Sequence, residues 1–517
     1  MYSRQEEGIM KRAKLKLDKD FAIGKVDKRI FSTFIEPIGD IVYGGIYNPD
    51  HPTADEQGFR NDVLELMQEL GSTAIRYPGG NFISGYNWKD GIGPRDKRPA
   101  RYDKAWKRIE SNQMGIDEYT DWVKKVGSEP MLAVNLGTGT PEEASQEIEY
   151  TNMEGGTYYS DLRKKHGYEK PHNIKMWCLG NEMDGSWQMG QKTAKEYGRV
   201  AYEAAKQMRT VDPDIELVAC GSCANDKSHP SYPEWDRVVL EECYEDVDYL
   251  ALHRYYSYDP EAVKGTVFPE QFTVEDLPCI ANDMTQFIDT VCAAADYVKG
   301  LKYSDKTINI CFDEWGVISS QTAKAEGLDW TERNIPKEGK RIENMNVIDA
   351  ILFGSILITF INKCDRVKIA CQSIVIHRMI KADPEGAAFK QTTYYPFQQV
   401  AKYADGIALK SGLQSPTKET DGYGEQPFIQ TAAVYNEESG TVTVFATNLG
   451  LRDSVVLEDK LQFDEVELIE HIQIHDDQPL AVNTAENPER VVPKQVEISD
   501  KVVLPPLSWN VLRYKVK

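Results

Sequence analysis

The sequence predicts an α/β protein: a (β/α)8 TIM barrel followed by a C-terminal antiparallel β-sandwich of jelly-roll-like type. Three observations lead there. Apolar strand-like runs alternate with helical segments eight times between about Arg29 and Gly406. The strand runs are nearly continuous in apolar residues, as strands covered on both faces of a parallel sheet must be. After about Gly406 the alternation stops, and short strands separated by turn residues take over.

The elements follow in order. "RIFSTFIEPIG" reads as the first strand and "FRNDVLELMQEL" as its helix. "TAIRYPGG" and "PMLAVNLG" are the second and third strands, with "IDEYTDWVKKVG" between them ending on a Gly stop. "TPEEASQEIEY" carries Pro and acids in its first turn, the signature of a helix start. The fourth and fifth strands are "IKMWCLGNE" and "IELVACGS", joined by the long helix "TAKEYGRVAYEAAKQMRTVD". The sixth, seventh and eighth are "DYLALHRYY", "TINICFDEW" and "VKIACQSIV", each again followed by a helical segment. Eight repeats over one continuous stretch favour a closed barrel over an open sheet. No G-x-G-x-x-G or Walker motif follows the first strand, which speaks against a nucleotide fold.

The barrel is expected over residues 22–406. "FIQTAAVYNEE", "TVTVFATNLG", "DSVVLED", "EVELIEHIQI" and "SWNVLRYKV" supply the sandwich, and the strand-like start "AKLKLDKDFAIGKV" is expected to join it. The second domain is therefore residues 10–21 plus 407–517.

The 517-residue chain carries a formal net charge of −22. Such a chain repels phosphate backbones and anionic lipid, so nucleic acid and membrane surfaces are not expected partners. The charged first stretch has no apolar core of a signal peptide. The longest apolar run, "AILFGSILITFI", is too short to span a bilayer. Nine scattered cysteines show no framework spacing, so reduced thiols and a cytoplasmic enzyme are expected. "CGSC" ends an apolar strand and lacks a second pair, so Cys220 and Cys223 read as structural. "HIQIH" lies in a strand-like segment without H-E-x-x-H, so no metal site is expected, and no cofactor is called for.

A barrel places its active site at the C-terminal ends of its strands. Glu36, Arg76, Asn81, Asn135, Asn181, Glu182, His253, Tyr255, Asp313, Glu314, Trp315 and Gln372 stand there. Glu182 and Glu314 end the fourth and seventh strands, and a pair of carboxylates is what glycoside hydrolysis needs. One must hand a proton to the leaving oxygen, while the other attacks or stabilises the anomeric carbon. Desolvation raises the acid's pKa, and hydrogen-bond donors keep its partner ionised. Asn181 is placed to bind a sugar hydroxyl. His253 and Tyr255, two apart, share one strand face, with the Tyr hydroxyl in reach of Glu314, while Arg254 points to the other face. By the same alternation Asp313 faces away from Glu314 and reads as a structural acid. Trp88, Trp106, Trp187 and Trp315 form an expected aromatic rim.

"FIEPIG", "RYPGGNFISGYNWKDGIGP", "WCLGNEMDG", "HRYY" and "FDEW" together resemble glycoside hydrolase family 51, the α-L-arabinofuranosidases. The likeness continues through "RVKIAC", "KQTTYYPF" and "LPPLSWNVLR". It implies a retaining double displacement, with Glu182 as general acid/base and Glu314 as nucleophile. It also implies that Glu36, Asn81 and Asn181 bind furanose hydroxyls, and that His253, Tyr255, Gln372 and Trp187 line the sugar. Arabinose-containing oligosaccharides from arabinan or arabinoxylan would be the substrates, and a homo-oligomer, often a hexamer, the assembly. The chain departs from the family pattern at Pro37, at Gly316 and Ile318 of "FDEWGVI", and in "QSIVIHRMIKADPEG" after Cys371. These changes leave a second reading open, a related retaining glycosidase for another sugar: a galactofuranosidase, β-xylosidase or endoglucanase. A non-catalytic carbohydrate-binding protein is disfavoured by the presence of both carboxylates.

Overall fold

A computed structural model of the chain describes residues 10–225, 229–259, 272–318, 344–420 and 423–517. Its centre is a closed barrel of parallel strands: β1 (Ser32–Phe34), β2 (Ala74–Tyr77), β3 (Glu129–Ala133), β4 (Met176–Leu179), β5 (Glu216–Cys220), β6 (Tyr249–Asp259), β7 (Asn309–Ile318) and β8 (Val367–Ser373). Neighbours pair in sequence order from β1 to β8. The pairing of Cys371–Ser373 with Ser32–Phe34 closes the ring. Closure removes both sheet edges, so every barrel strand finds hydrogen-bond partners on two sides. All four residues of β2 and of β4 are buried, which is why these strands read as unbroken apolar runs.

The outer helices begin where their caps dictate. Thr140 accepts from Glu143 N–H, Glu143 returns to Thr140 N–H, and Pro141 occupies the first turn of Pro141–Asn152. Thr193 and Glu196 do the same for Ala194–Val211. Such caps fix the length of each strand-to-helix loop, and those loops form the rim.

The helix Val347–Asn362 contains the longest apolar run. Every residue from Val347 to Ile361 is buried, so it has no polar face. Barrel strand β7 lies on one side, and sandwich strands Ile429–Asn436 and Thr441–Asn448 lie on another. A helix that is apolar all round is one covered on all sides, here by two domains. Gly354 permits this: a Cβ there would collide with the Trp509 ring. No helix among the described residues is long and apolar enough to cross a membrane.

The sandwich has a four-stranded and a seven-stranded sheet. Lys11–Asp18 joins the first, parallel to Val455–Gln462 and antiparallel to Gly412–Gln414. Ala22–Lys25 joins the second by pairing with Ile407–Leu409. All nine cysteines are buried. Cys220 packs as core, its carbonyl accepting from Trp235 Nε1, and His471 bonds Asn510 across the sheet. A feature not foreseen is the hairpin Arg101–Asp103 with Arg108–Glu110, inside the long loop after β2.

Candidate active site

The turn after β4 answers what a carboxylate does at a strand end. Gly180 and Glu182 both take positive φ, 96° and 44°. Gly180 does so freely. Glu182 does so at a cost of about 1–3 kcal/mol, the kind of strain that persists where the surroundings over-determine it. Two donors hold the result. Trp187 Nε1–H donates to Glu182 Oε2 at 2.6 Å, and His253 Nδ1 lies 3.1 Å from Oε1.

Glu314, within β7, which runs on to Ile318, has a different set of partners. Arg76, from β2, donates to its Oε1 at 2.9 Å, and the Tyr255 hydroxyl donates to its Oε2 at 2.7 Å. One oxygen of each of Glu182 and Glu314 and one His253 nitrogen all lie within 4.8 Å of one another. That separation matches the roughly 5 Å of a retaining glycosidase. Three such ligand atoms would also suit a cation. One oxygen of each carboxylate already accepts from an aromatic donor, Glu182 Oε2 from the Trp187 indole and Glu314 Oε2 from the Tyr255 phenol.

Beneath the pair lies a buried charge network. Arg76 also donates to Asn181 Oδ1 at 2.8 Å and pairs with Asp313 at 3.0 Å. His253 Nε2 lies 2.9 Å from Asp313. Burial pulls the His253 pKa down, but the charges of Glu314 and Asp313 outweigh it and raise it well above the usual value. A protonated imidazole donates from both nitrogens, one to Glu182 and one to Asp313. Burial likewise pushes Asp313 up, yet Arg76 and His253 hold it below the usual carboxylate range.

Asp313 therefore does not face away from the site, as simple alternation predicts. The register slips between Ala251 and His253, and again between Phe312 and Trp315, so β-bulges turn both Asp313 and Glu314 toward Arg76 and His253.

Glu36 supplies the third acid. Phe82 N–H and Trp106 Nε1–H both donate to its Oε1 at 2.9 Å. Its pKa is pushed up to about 8 by burial and then by the charge of Glu314, so it is neutral at pH 7. Gly80 has no side chain because a Cβ there would collide with this carboxyl group. Asn181 Nδ2 lies 3.5 Å from Asn81 Oδ1, which brings the strand-2 loop to the same cup.

Other residues fall elsewhere. Gln372, next to last in β8, is in register with Trp315 and Thr33, and its buried amide has no hydrogen-bond partner among the described residues. Trp315 is not on the rim: it is fully buried against Phe353 and Phe360 on the helix side of β7, where alternation from the inward-facing Glu314 puts it. Trp88 is buried too, against Tyr150 and Tyr159. Arg254 points outward, to Asp283. Sequence reasoning placed Arg76 at a strand end without a role. Its partners come from β7 and the turn after β4, and spacing along one strand does not reveal them.

Comparison with known proteins bears on the family and the fold. Residues 66–267 match the model of the alpha-L-arabinofuranosidase 1 domain, and residues 313–508 that of the alpha-L-arabinofuranosidase C-terminal domain. An intracellular exo-alpha-(1->5)-L-arabinofuranosidase from Bacillus subtilis is 44% identical, over 98% of this chain and 99% of that one. An exo-alpha-(1->6)-L-arabinofuranosidase from Bifidobacterium longum is 42% identical, over 98% of each. A solved family 51 alpha-L-arabinofuranosidase from Bifidobacterium longum superposes with a TM-score of 0.89 at 38% identity, covering 98% of this chain and 100% of that one.

Proposed function

The chain belongs to the α-L-arabinofuranosidases of glycoside hydrolase family 51 and is an exo-acting member, and from that premise we propose that Glu182 and Glu314 carry out a retaining double displacement. The observation that supports the roles is the asymmetry of their partners. Glu314 accepts from Arg76 and Tyr255, which hold and aim an attacking carboxylate. Glu182 accepts instead from the Trp187 indole and from His253 Nδ1, an imidazolium that can hand it a proton.

In the first step Glu314 attacks the anomeric carbon while Glu182 protonates the departing oxygen. In the second, Glu182 removes a proton from water, which displaces Glu314 with net retention. Neutral Glu36, with Asn81 and Asn181, binds furanose hydroxyls at the closed end of the cup. Trp187, which donates to Glu182, stands on the side from which the leaving group departs, while Trp106 backs Glu36.

The substrates are short arabinose-containing oligosaccharides, trimmed from the non-reducing end in the cytoplasm. The intracellular naming of close relatives supports that location. The chain assembles as a homo-oligomer, a hexamer by resemblance, which light scattering on the purified protein tests.

The deciding experiment follows hydrolysis of para-nitrophenyl α-L-arabinofuranoside by NMR. The first product should be the α-anomer, and Glu314→Ala should lose about 10⁴-fold or more in kcat. An inverted product, or a Glu314→Ala variant with ordinary turnover, rejects the assignment.

A further inference from the structure

Gly316 and the stretch after β8 are departures that lie apart in sequence. In space they meet. A Cβ on Gly316 would sit 2.7 Å from the Ser373 carbonyl oxygen and 2.9 Å from Arg378 Nη1. The missing side chain is thus the room that the Arg378 guanidinium uses. Arg378 is buried, its Nη1 donates to the Ser373 carbonyl, and its guanidinium stands 5.5 Å from the centre of the Tyr255 ring.

Ser373 and Tyr255 lead to the nucleophile. The Tyr255 oxygen is 2.7 Å from Ser373 Oγ and 2.7 Å from Glu314 Oε2. A phenol has one proton. With that proton pointed at Glu314, the Ser373 hydroxyl must donate to the phenol oxygen. The chain of contacts then runs from Arg378 through Ser373 and Tyr255 to Glu314.

We propose that Arg378, seated in the space left open at Gly316, is a positioning residue for the Glu314 nucleophile, acting through Ser373 and Tyr255. This rests on the nucleophile assignment above. Arg378 fixes the end of β8 through the Ser373 carbonyl and covers the Tyr255 ring with a cation. Both contacts hold the phenol where its hydrogen bond leaves one lone pair of Glu314 free for attack. Sub-ångström placement of an attacking oxygen governs the rate far more than the binding of substrate.

The test compares Arg378→Ala, Arg378→Lys, Gly316→Ala and the Arg378→Ala/Gly316→Ala double variant on para-nitrophenyl α-L-arabinofuranoside. Arg378→Ala and Gly316→Ala should each lower kcat about 10–100-fold with KM changed less than about threefold. The double variant should lose no more than the worse single, since both break the same contact. Added guanidinium ion should restore part of the activity of Arg378→Ala and none of Gly316→Ala, whose new methyl fills the seat. Arg378→Lys, lacking the planar fork, should stay low.

If Arg378→Ala keeps kcat within about twofold, or if the two losses multiply in the double variant, the inference is wrong. Should Arg378→Ala fail to fold by circular dichroism, Ser373→Ala removes only the hydroxyl. A fall in kcat at constant KM supports the relay, and unchanged kcat overturns it. Failure of the glycosidase reading itself looks different: wild-type protein without arabinofuranoside turnover.

Discussion

Arg76 Nη2 lies 3.0 Å from Asp313 Oδ2, and both side chains are closed to solvent beneath the catalytic pair. The ion pair is a platform: the same guanidinium grips Glu314 and Asn181, and the same aspartate grips His253. Removing one member strands the others. Arg76→Met should cost about 3–5 kcal/mol of stability in urea unfolding, because it leaves buried carboxylates without their main cation. Arg76→Met combined with Asp313→Leu should recover part of that stability and none of the activity. Equal stability of Arg76→Met and wild type would mean that His253 alone carries the charge.

Glu36 should write the alkaline limb of the pH profile. Its pKa of about 8 lies above the usual 4.5 because burial and the Glu314 charge disfavour its anion. Below pH 8 it is a neutral donor to sugar. Above pH 8 it becomes a second anion beside the nucleophile, and kcat/KM should fall. The same shift sets a stability window. A raised pKa contributes stability that is whole below 4.5 and is lost as pH climbs to 8. Glu36→Gln keeps an acceptor for Phe82 and Trp106 and cannot ionise. Its kcat/KM should be flat through pH 8, and its melting temperature should fall less than that of wild type between pH 4.5 and 8. An unchanged alkaline limb in Glu36→Gln would assign that limb to another group.

Trp187 should matter to the departing group more than to binding. Its indole N–H holds Glu182 Oε2 at 2.6 Å. Trp187→Phe keeps a ring and removes the donor. A hydrogen bond to a charged group is worth about 1.5–3 kcal/mol, so kcat on an arabino-oligosaccharide should drop about 10–100-fold. A dinitrophenyl arabinofuranoside, which needs little help from an acid, should be hydrolysed nearly as before. Equal losses on both substrates would place Trp187 against the sugar instead.

How far these groups could be read from the sequence follows from where their partners lie. Glu182 and Glu314 were visible because strand ends are visible, and strand ends show when strands are apolar runs closed by Gly, Asn or Trp. Tyr255 was placed beside Glu314 by two-residue alternation, and the contact is there at 2.7 Å. Alternation misplaced Asp313 because it assumes an unbroken ladder, and the bulges in β6 and β7 break it. Trp106 reaches Glu36 from a short hairpin within a loop that carries no clear periodicity. Arg76 was invisible as a hub because its partners are Asn181, Asp313 and Glu314, contributed by β7 and the turn after β4, distant in sequence.

The two domains share one load through the Val347–Asn362 helix, so a change far from the cup should unfold both. Gly354 lies directly under the Trp509 ring, and Trp509 Nε1–H donates to Gln399 at 2.7 Å. Trp509 is fully buried beside Phe445. Trp509→Ala removes a ring from a packed site and leaves the Gln399 acceptor without its donor. The packing loss alone is about 3–5 kcal/mol. Gly354→Leu should act from the other side, since its side chain has no volume to enter without displacing the ring. Both variants should melt in one transition, lower than wild type, because the helix cannot lose its sandwich cover and keep its barrel face in water. A sandwich that melts alone, with arabinofuranosidase activity persisting until a second and higher transition, would show that the barrel stands without it.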